Sequence, residues 1–510
     1  MATSRTLRQR MPIADAAWLH MGRPTNLTVI NAVWLFDEPL ELSRLREVLQ
    51  RRLVTPYPRF RQRVVEGRLP LAGAHWEDDP TFDIEHHLHR RGLAAPGDEA
   101  ALQALIGDLM GAPLDQAKPL WDMYLIDGPG DGCALFMRVH HCVADGIALA
   151  RVMLSLADSA TDGEADEQPP RVAGPDHGAL GALIAPATSI VSASRAGATV
   201  LAHEGLHAVA HPRHLAELVR SVERETAALI RLVFLPADAD TSLRGELGTS
   251  RRVAWTAPLE LERIKTIART QEATVNDVLL AAVSGALRRH LLSRGERAPR
   301  LRAIVPFNLR PADLPIPREL GNRFGLVFLD LPVDVSDRRR RLRAVKDGMD
   351  AIKRSPDGPL TYAVLQAMGA VPSQIESRAV DLFSAKGTAV MTNVPGPRQP
   401  IHLAGSHVQA VLVWAPASGS VGMSVSILSY QGQVTVGLMV DAHVVPEPRK
   451  LAHQLEREIA ALARLQPARR SRREAADATG APERRRSAPT AGRDATDPVA
   501  AHARPARHSS

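Results

Sequence analysis

Residues 135–146 read LFMRVHHCVADG, and this stretch decides how the chain is interpreted. It begins as an apolar, strand-like run and ends at an Asp-Gly pair that turns into the next helix-like run. Because side chains alternate faces along a strand, every second residue up to His141 lies on one apolar face, while Arg138 and His140 point to the other. An imidazole on an apolar face is desolvated, so it stays neutral near pH 7 and can act as a general base. The stretch therefore predicts a buried strand that ends at a candidate catalytic histidine.

Strand and helix signals continue on both sides of this stretch. The predicted helices cover residues 42–53, 147–157 and 275–292. The predicted strands cover residues 27–36, 133–141, 302–306, 324–331, 388–393, 424–430 and 433–440. The two kinds of element alternate irregularly and no repeat of 20–50 residues is present, so the predicted fold class is α/β or α+β.

Two loop-like segments rich in Gly and Asp divide the chain. They separate an N-terminal half, residues 1–165, from a C-terminal half of similar size, residues 251–466. Residues 166–250 are predicted to be a linker that contains helices. Residues 467–510 hold Arg, Ala, Pro, Ser and Asp with almost no large apolar side chain, which predicts a disordered basic tail.

Composition excludes several classes of protein. The 510 residues are 45% apolar and 23% charged, the balance of a folded globular protein. Cys133 and Cys142 are the only cysteines, so a disulfide framework and an all-cysteine zinc site are excluded. The basic N-terminus lacks the apolar run of a signal peptide, and no stretch is long and apolar enough to span a bilayer. We therefore expect a cytoplasmic protein that can contact a membrane at its surface without crossing it.

The net charge of +7 is unevenly distributed. The predicted tail holds ten Arg against five acidic residues, which leaves 53 basic and 51 acidic side chains on residues 1–466. The body of the protein is thus nearly neutral. Since no nucleic-acid-binding motif accompanies the charge, the sequence gives no support to a nucleic-acid partner.

Other interpretations of the histidine pair stay open at this point. A lone buried histidine is usually a core residue bonded to a backbone carbonyl. A metal site is disfavoured, because adjacent histidines on a strand diverge and no second ligand cluster is evident. Cys142 is a weak candidate nucleophile, since its side chain points away from His141. A second histidine cluster, DIEHHLH at 83–89, has no Asp-Gly after it and is predicted to be an exposed strand or loop.

Several blocks of the sequence resemble a known family. HHCVADG matches the HHxxxDG motif of the CoA-dependent acyltransferase superfamily, which includes chloramphenicol acetyltransferase and the condensation domains of peptide synthetases. The chain as a whole resembles the bacterial wax ester synthase/diacylglycerol acyltransferase family over about residues 11–463. The blocks that carry this resemblance are MPIADAAW at 11–18, PTN at 24–26, PLD at 113–115, PLW at 119–121, TVNDVL at 274–279, VPFNLR at 305–310, GN at 321–322, TNVPGP at 392–397, SYQG at 429–432 and Asp441.

The resemblance implies a fold and an activity. The fold would be two chloramphenicol-acetyltransferase-like halves, joined by the helical linker, with a tunnel between them. The enzyme would move a long-chain acyl group from acyl-CoA to the hydroxyl of diacylglycerol or of a long-chain fatty alcohol, with no cofactor and no metal. His141 would be the general base, and peripheral contact with a membrane or lipid droplet would suit the lipid substrates.

Further residues receive roles by the same resemblance. His140 is expected to shape the motif or to support His141 by hydrogen bonding. Asp145 has two interpretations, as the group that orients the imidazole or as a structural residue paired with Arg310, and the second is favoured. Gly146 is expected to serve the backbone conformation or to leave space beside the acyl chain.

The remaining candidates each have a structural alternative. Asn276, in the Asn276-Asp277 motif, is the candidate oxyanion donor, yet Asn276 or Thr274 could simply cap the long helix that follows. Trp121 is interpreted first as a core residue. Asn393 begins a rigid turn after a strand, with a role in lining the tunnel as the second interpretation.

Two other functions fit the same motif. One is a free-standing condensation-type acyltransferase that takes its donor from a carrier protein. The other is a catalytically silent lipid-binding or lipid-droplet protein on the same fold. The preferred acceptor, the acyl chain length and the oligomeric state cannot be predicted from the sequence.

Overall fold

The computed structural model describes residues 8–67, 73–128, 130–158, 231–232, 234–310, 317–368 and 373–466. The strands are β1 (Gln9–Arg10), β2 (Val29–Phe36), β3 (Gln62–Glu66), β4 (Ala74–Asp78), β5 (Leu88–Arg91), β6 (Trp121–Asp127), β7 (Cys133–His140), β8 (Arg251–Trp255), β9 (Leu259–Glu260), β10 (Leu301–Asn308), β11 (Phe324–Leu331), β12 (Ala389–Pro395), β13 (His402–Leu403), β14 (Ser406–Trp414), β15 (Met423–Tyr430) and β16 (Gln433–Asp441). The helices are α1 (Ile13–His20), α2 (Leu42–Leu49), α3 (Glu99–Gly111), α4 (Gly146–Leu154), α5 (Leu261–Thr270), α6 (Val275–Ser293), α7 (Arg338–Lys353), α8 (Asp357–Met368), α9 (Ser373–Ser384) and α10 (Pro448–Leu462).

Strand β7 lies inside a six-stranded sheet with the order β13-β14-β2-β7-β6-β5. It pairs antiparallel with β2 on one side and β6 on the other, and all eight of its residues are buried. Leu135 and Met137 belong to one apolar cluster and Phe136 to another, so the strand packs on both faces. This alternation is the one that period-two side-chain geometry predicts. The fully buried strand β7 therefore ends at the histidine pair and fixes the position of these two residues.

The second large sheet has the order β11-β10-β12-β15-β16-β8, with β9 also paired to β16. Strand β12 is parallel to both β10 and β15, whereas the other pairs of this sheet are antiparallel. Helix α6 packs against it through a nearly continuous buried surface from Asp277 to Leu287. A third, small sheet has the order β1-β4-β3.

The six-stranded sheet contains strands from both ends of the sequence. Strands β13 and β14 come from the predicted C-terminal half, and β14 pairs with β2 from Val408 to Trp414. A core cluster that includes Phe136, Trp414 and Met439 packs against the same region from β16. Residues far apart in sequence are thereby held next to β7. The division at residues 165 and 251 stays a prediction.

Most predicted elements lie within two or three residues of their predicted bounds. Strand β7 ends at His140, one residue earlier than predicted, and the helix predicted to end at residue 53 changes to π-helical hydrogen bonding over Gln50–Val54. The second of the two predicted loop-like segments, residues 237–250, contains no helix or strand, as predicted. Most of the predicted linker, including its helices, and the predicted tail lie outside the described residues.

The interpretation of residues 83–89 as an exposed strand or loop is wrong for His87. This side chain is 2% exposed, and its ring stacks on Trp121 at a centroid distance of 4.6 Å. Its Nδ1 lies 2.8 Å from the Trp121 carbonyl oxygen. The burial of His87 could not be predicted from the polar sequence around it, because its neighbour His86 is exposed. His87 is a satisfied core histidine.

Within the described part of the chain, every helix is too short or too polar to cross a bilayer.

Candidate active site

His141 lies directly after β7, and its imidazole packs against two aromatic rings. Its backbone N–H donates to the Thr28 carbonyl at 2.9 Å, which fixes the chain as it leaves the sheet. The imidazole stacks on Trp18 at 4.0 Å with 12° between the planes, and Phe324 lies 5.2 Å away. The residue is 5% exposed. The ring is therefore desolvated and held in one orientation.

One ring nitrogen of His141 is bound to a side chain from the loop before β11. Nδ1 lies 2.9 Å from Oδ1 of Asn322. The Asn322 amide nitrogen donates at 2.7 Å to the carbonyl of His141 and at 2.9 Å to Oδ1 of Asp15. Its backbone N–H donates to the same Asp15 oxygen at 2.8 Å. Three residues from distant parts of the chain thus meet at the catalytic candidate.

Burial lowers the pKa of His141 from 6.5 to about 4. Among the described residues no carboxylate is hydrogen-bonded to the ring, and the smaller opposing effects of the His141 carbonyl, Asp145 and Asn322 do not offset the desolvation of the imidazolium. The ring is neutral at physiological pH and carries a lone pair on one nitrogen. This is the protonation state that a general base needs.

The two nitrogens of His140 are both occupied. Nδ1 accepts from the backbone N–H of Cys142 at 3.2 Å, and Nε2 lies 3.1 Å from the hydroxyl of Thr28. Burial lowers its pKa to about 3. Within the described residues His140 makes no hydrogen bond to the His141 ring. Of its two predicted roles, the geometry fits the one that shapes the motif.

Asp145 is the N-cap of helix α4 and the partner of Arg310. Its Oδ1 accepts from the Ala148 N–H at 2.8 Å, and its Oδ2 accepts from Arg310 Nε at 2.9 Å and from the Arg323 N–H at 3.0 Å. The predicted pair with Arg310 is present, and both carboxylate oxygens are used away from His141. The geometry does not fit an orienting role for Asp145, because Asn322 holds the ring nitrogen.

Gly321 allows the loop before β11 to approach the HHCVADG motif at residues 140–146. Its φ is +91°, and a Cβ there would lie 3.2 Å from Oδ2 of Asp15. Its N–H donates to the Val143 carbonyl at 3.1 Å, and its own carbonyl accepts from Arg310. Only glycine combines this backbone conformation with so little space. The result is that Asn322 reaches both of its partners.

The expectation that Gly146 serves the backbone conformation is wrong. Its φ is not among the positive values found in this chain, and a Cβ built there would meet no described atom within 4 Å. The residue opens helix α4 beside empty space. The other interpretation, space for a substrate, remains as a prediction.

The start of helix α6 is capped by residues other than Asn276. The Thr274 hydroxyl accepts from the Asp277 N–H at 3.2 Å, and the Asp277 carboxylate accepts from the Thr274 N–H at 2.8 Å, which is a reciprocal capping box. Asp277 therefore has a structural role in the helix. Asn276 takes no part in this cap. Its Oδ1 accepts a hydrogen bond from the side-chain amide of Asn393 at 3.1 Å. The two asparagines that the sequence singled out are thus in contact. Asn393 lies within β12, paired with Ile427, so the prediction that it begins a turn after the strand is wrong.

Trp121 is a core residue, as predicted. It is 1% exposed, and its indole N–H donates to the Phe60 carbonyl at 2.9 Å. One face of the indole stacks on His87, and Phe60 makes an edge contact with it at a centroid distance of 5.7 Å. No contact of Trp121 with the His141 ring is present among the described residues.

A cleft of about 340 Å³ opens beside the Asp15–Asn322 contact. Its lining comes from helices α1 and α8 and from the loop before β11. The lining residues are Pro12, Ile13, Ala14, Asp15, Arg310, Leu320, Gly321, Asn322, Arg323, Tyr362 and Gln366. A continuous tunnel between the two halves stays a prediction.

Metal ligands and nucleophilic thiols do not converge on this site. No group of three His, Cys, Asp or Glu side chains in the described residues is arranged to hold a metal ion. Burial raises the pKa of Cys133 to about 11 and that of Cys142 well above 9. Both thiols therefore stay protonated near pH 7, which makes them poor nucleophiles.

Sequence reasoning gave no role to Asp15, Trp18, Thr28, Asn322 and Phe324. A signal exists for the first of these, because Asp15 is the only charged residue in the apolar run that forms α1 and is 1% exposed. An acid in such a run needs a buried partner. The identity of that partner is set by tertiary contacts, which no local spacing reveals.

The lowered pKa of His141 predicts a stability change with pH. Between pH 6.5 and 4 the unfolded chain binds a proton at this residue that the folded chain does not bind, so folding stability falls as the pH falls through that window. Between pH 7 and pH 5 this contribution is about 2 kcal/mol. We expect wild type to lose unfolding free energy more steeply than His141→Gln over that interval, measured by urea denaturation. Equal slopes for the two proteins would contradict the buried neutral state. The carboxyl of Asp15, whose pKa burial raises to about 6, acts in the opposite direction but is common to both proteins.

Comparison with known proteins places the whole arrangement in one family. Residues 11–279 match the wax ester synthase/diacylglycerol acyltransferase catalytic domain, and residues 320–463 match the WS/DGAT C-terminal domain. The probable diacylglycerol O-acyltransferase tgs1 of Mycobacterium tuberculosis H37Rv is 30% identical over 442 residues, covering 85% of this chain and 90% of that protein. A putative diacylglycerol O-acyltransferase of the same strain is 28% identical over 457 residues, covering 86% of this chain and 87% of that protein.

Solved structures share the fold. The wax ester synthase/diacylglycerol acyltransferase from Marinobacter aquaeolei VT8 has a TM-score of 0.62 at 20% identity, covering 90% of this chain and 100% of that one. The first condensation domain of the calcium-dependent antibiotic synthetase has a TM-score of 0.56 at 17% identity, covering 91% and 98%. The predicted fold class is confirmed.

Proposed function

Because this chain belongs to the wax ester synthase/diacylglycerol acyltransferase family, we propose that it transfers a long-chain fatty acyl group from acyl-CoA to the hydroxyl of diacylglycerol, of a long-chain fatty alcohol, or of both. It is an acyltransferase. The product of the proposed reaction is triacylglycerol with the first acceptor and a wax ester with the second. Peripheral contact with a membrane or lipid droplet belongs to the same proposal, since both acceptors partition into lipid.

One observation supports His141 as the base of this reaction. Its imidazole is neutral and desolvated, and its Nδ1 is occupied by Asn322. The nitrogen left for chemistry is Nε2. A neutral nitrogen in a site with little water accepts a hydroxyl proton without first losing a hydration shell.

The step balances without any further reagent. His141 Nε2 takes the proton of the acceptor hydroxyl as that oxygen attacks the thioester carbonyl. The tetrahedral intermediate collapses, the carbon–sulfur bond breaks, and the proton returns from the imidazolium to the departing CoA thiolate. One ester bond forms, one thioester bond is lost, and His141 ends neutral.

Transfer without an acyl-enzyme fits the chemistry of the site. The two cysteines are buried and hold their protons near pH 7. Bringing acyl-CoA and acceptor together at one base replaces a covalent intermediate by proximity. Asn276, in contact with Asn393, remains the proposed oxyanion donor.

An acceptor panel tests the proposal and separates it from its alternatives. Purified protein is incubated with palmitoyl-CoA and either dioleoylglycerol or hexadecanol, and the products are resolved by chromatography. We expect stoichiometric CoA release and ester formation with at least one acceptor. No CoA release with either acceptor would point to a silent lipid-binding protein, and turnover only with a carrier-bound acyl donor would point to a condensation-type enzyme.

A further inference from the structure

The amide of Asn322 can face His141 in only one way. Its nitrogen donates to the His141 carbonyl at 2.7 Å and to Asp15 Oδ1 at 2.9 Å, and both of these groups are acceptors. A flipped amide would place its oxygen against two other oxygens and lose both hydrogen bonds. The oxygen of the amide must therefore be the atom that lies 2.9 Å from His141 Nδ1.

An amide oxygen only accepts, so Nδ1 of His141 must carry the ring proton. In a neutral imidazole the other nitrogen, Nε2, is then the one with the lone pair. The backbone carbonyl of His141 also contacts its own ring and is likewise an acceptor, so Asn322 and this carbonyl favour the same tautomer. The orientation of Asn322 is in turn made by Asp15, whose single oxygen accepts from both the backbone and the side chain of Asn322.

Helix α1 supplies two parts of this arrangement. Asp15 and Trp18 are three residues apart on α1, a spacing that puts both side chains on one face of a helix. Asp15 anchors the amide, while the Trp18 ring stacks on the imidazole at 4.0 Å. Rotation of the imidazole is thereby blocked while its hydrogen bond is set.

We infer that Asp15 and Asn322 are positioning residues that hold His141 in the Nδ1–H tautomer, with Nε2 free to accept the proton of the acceptor hydroxyl. This inference rests on the proposed function for the role of Nε2. The tautomer itself is a property of the folded protein and can be measured without turnover. The two claims can therefore fail separately.

A neutral amide at this position has a chemical consequence. A carboxylate at Nδ1 would stabilise the imidazolium, whereas an amide fixes the tautomer and adds no charge. The titratable groups that interact electrostatically with the ring are His140 and Asp145. Arg310 pairs with Asp145, while Arg59 and Cys142 interact with Asp15, which lies behind Asn322. Asn322 is thus the position at which a charge would act most directly on the base.

The test combines a spectroscopic and a kinetic measurement on the full chain. With 15N-labelled histidine, long-range 1H–15N correlation spectra report which ring nitrogen is protonated, and the His141→Gln variant identifies the signal. We expect the Nδ1–H tautomer in wild type and a mixture of tautomers in Asn322→Ala. We expect kcat of Asn322→Ala to fall about 10²-fold, the size of effect that loss of a correctly positioned base produces, with KM for acyl-CoA within about twofold.

Two further variants make the result specific. Asn322→Asp should shift the acid limb of the kcat profile to higher pH, because a carboxylate then contacts Nδ1. Asn31→Ala removes a buried asparagine of β2 that bonds to the Val29 carbonyl, and it should leave tautomer and kcat unchanged. If Asn322→Ala does not fold, Asp15→Ala takes its place. This variant removes the carboxylate that orients the Asn322 amide, and we expect the same mixture of tautomers.

The inference is overturned if wild-type His141 carries its proton on Nε2, or if Asn322→Ala keeps both the wild-type tautomer and the wild-type kcat. A protein that makes no ester but shows the expected tautomer change would support the positioning role and reject the proposed function.

Discussion

Replacement of His141 by Gln should reduce ester formation by about 10²–10⁴-fold, the contribution usual for a positioned general base. The variant keeps a polar side chain in the space but has no group able to take a proton near neutral pH. Its fold should persist, because the backbone contact to Thr28 and the Asn322–Asp15 contact do not need the ring. The measurement is the initial rate of CoA release at saturating palmitoyl-CoA and acceptor, with the melting temperature recorded for each protein.

His87→Gln is the matched control for this experiment. His87 is also buried and also stacks on a tryptophan, but its ring is bound to a backbone carbonyl away from the site. His87→Gln should lower the melting temperature by about as much as His141→Gln does. Its rate of CoA release should stay within about twofold of wild type, because His87 takes no part in proton transfer. A His141→Gln variant with near-wild-type rate would contradict the role given to this residue.

The ion pair between Asp145 and Arg310 should be the largest single electrostatic contribution to the stability of the site. The two side chains are 4% and 12% exposed, and the Asp145 carboxylate also receives the Ala148 and Arg323 N–H groups. Removing one partner leaves a buried charge unpaired, which costs about 3–5 kcal/mol. We expect Asp145→Ala and Arg310→Ala each to lower the unfolding free energy by an amount in that range, measured by chemical denaturation.

A double-mutant cycle isolates the pair. The double variant should lose less than the sum of the single losses, because the second change removes a charge that is already unpaired. Arg90 and Asp127, which are 63% and 53% exposed, form the matched surface pair, and their coupling should stay below about 1 kcal/mol. Strictly additive losses for Asp145 and Arg310 would refute the structural role of the pair.

Local patterns predicted the elements that carry the site. The alternation of residues 135–141 placed β7 and its two packed faces, and Asp145-Gly146 marked the start of α4. The pairing of Asp145 with Arg310 was expected only through the resemblance of the two blocks to one family. Spacing alone could not join residues 165 positions apart.

The residues around the His141 ring could not be predicted in the same way. Asp15 and Asn322 are separated by 307 positions, and they meet only because α1 and the loop before β11 pack on the same end of β7. Likewise, β14 enters the N-terminal sheet through pairing with β2, which neither strand's own sequence specifies. His87 was misjudged because its burial depends on Trp121, a residue of another strand. In each case the deciding contact is tertiary.

In the proposed reaction the acyl group passes directly from acyl-CoA to an acceptor activated by His141. A rapid-quench time course with wild-type enzyme tests this transfer most directly, by following CoA, ester and the intact protein mass with palmitoyl-CoA, first without and then with dioleoylglycerol or hexadecanol. Direct transfer predicts no burst of CoA and no added acyl mass on the protein until the acceptor is present, after which CoA and ester appear at the same rate. A burst of CoA equal to the enzyme concentration, with an acylated protein formed before any acceptor is added, would contradict it.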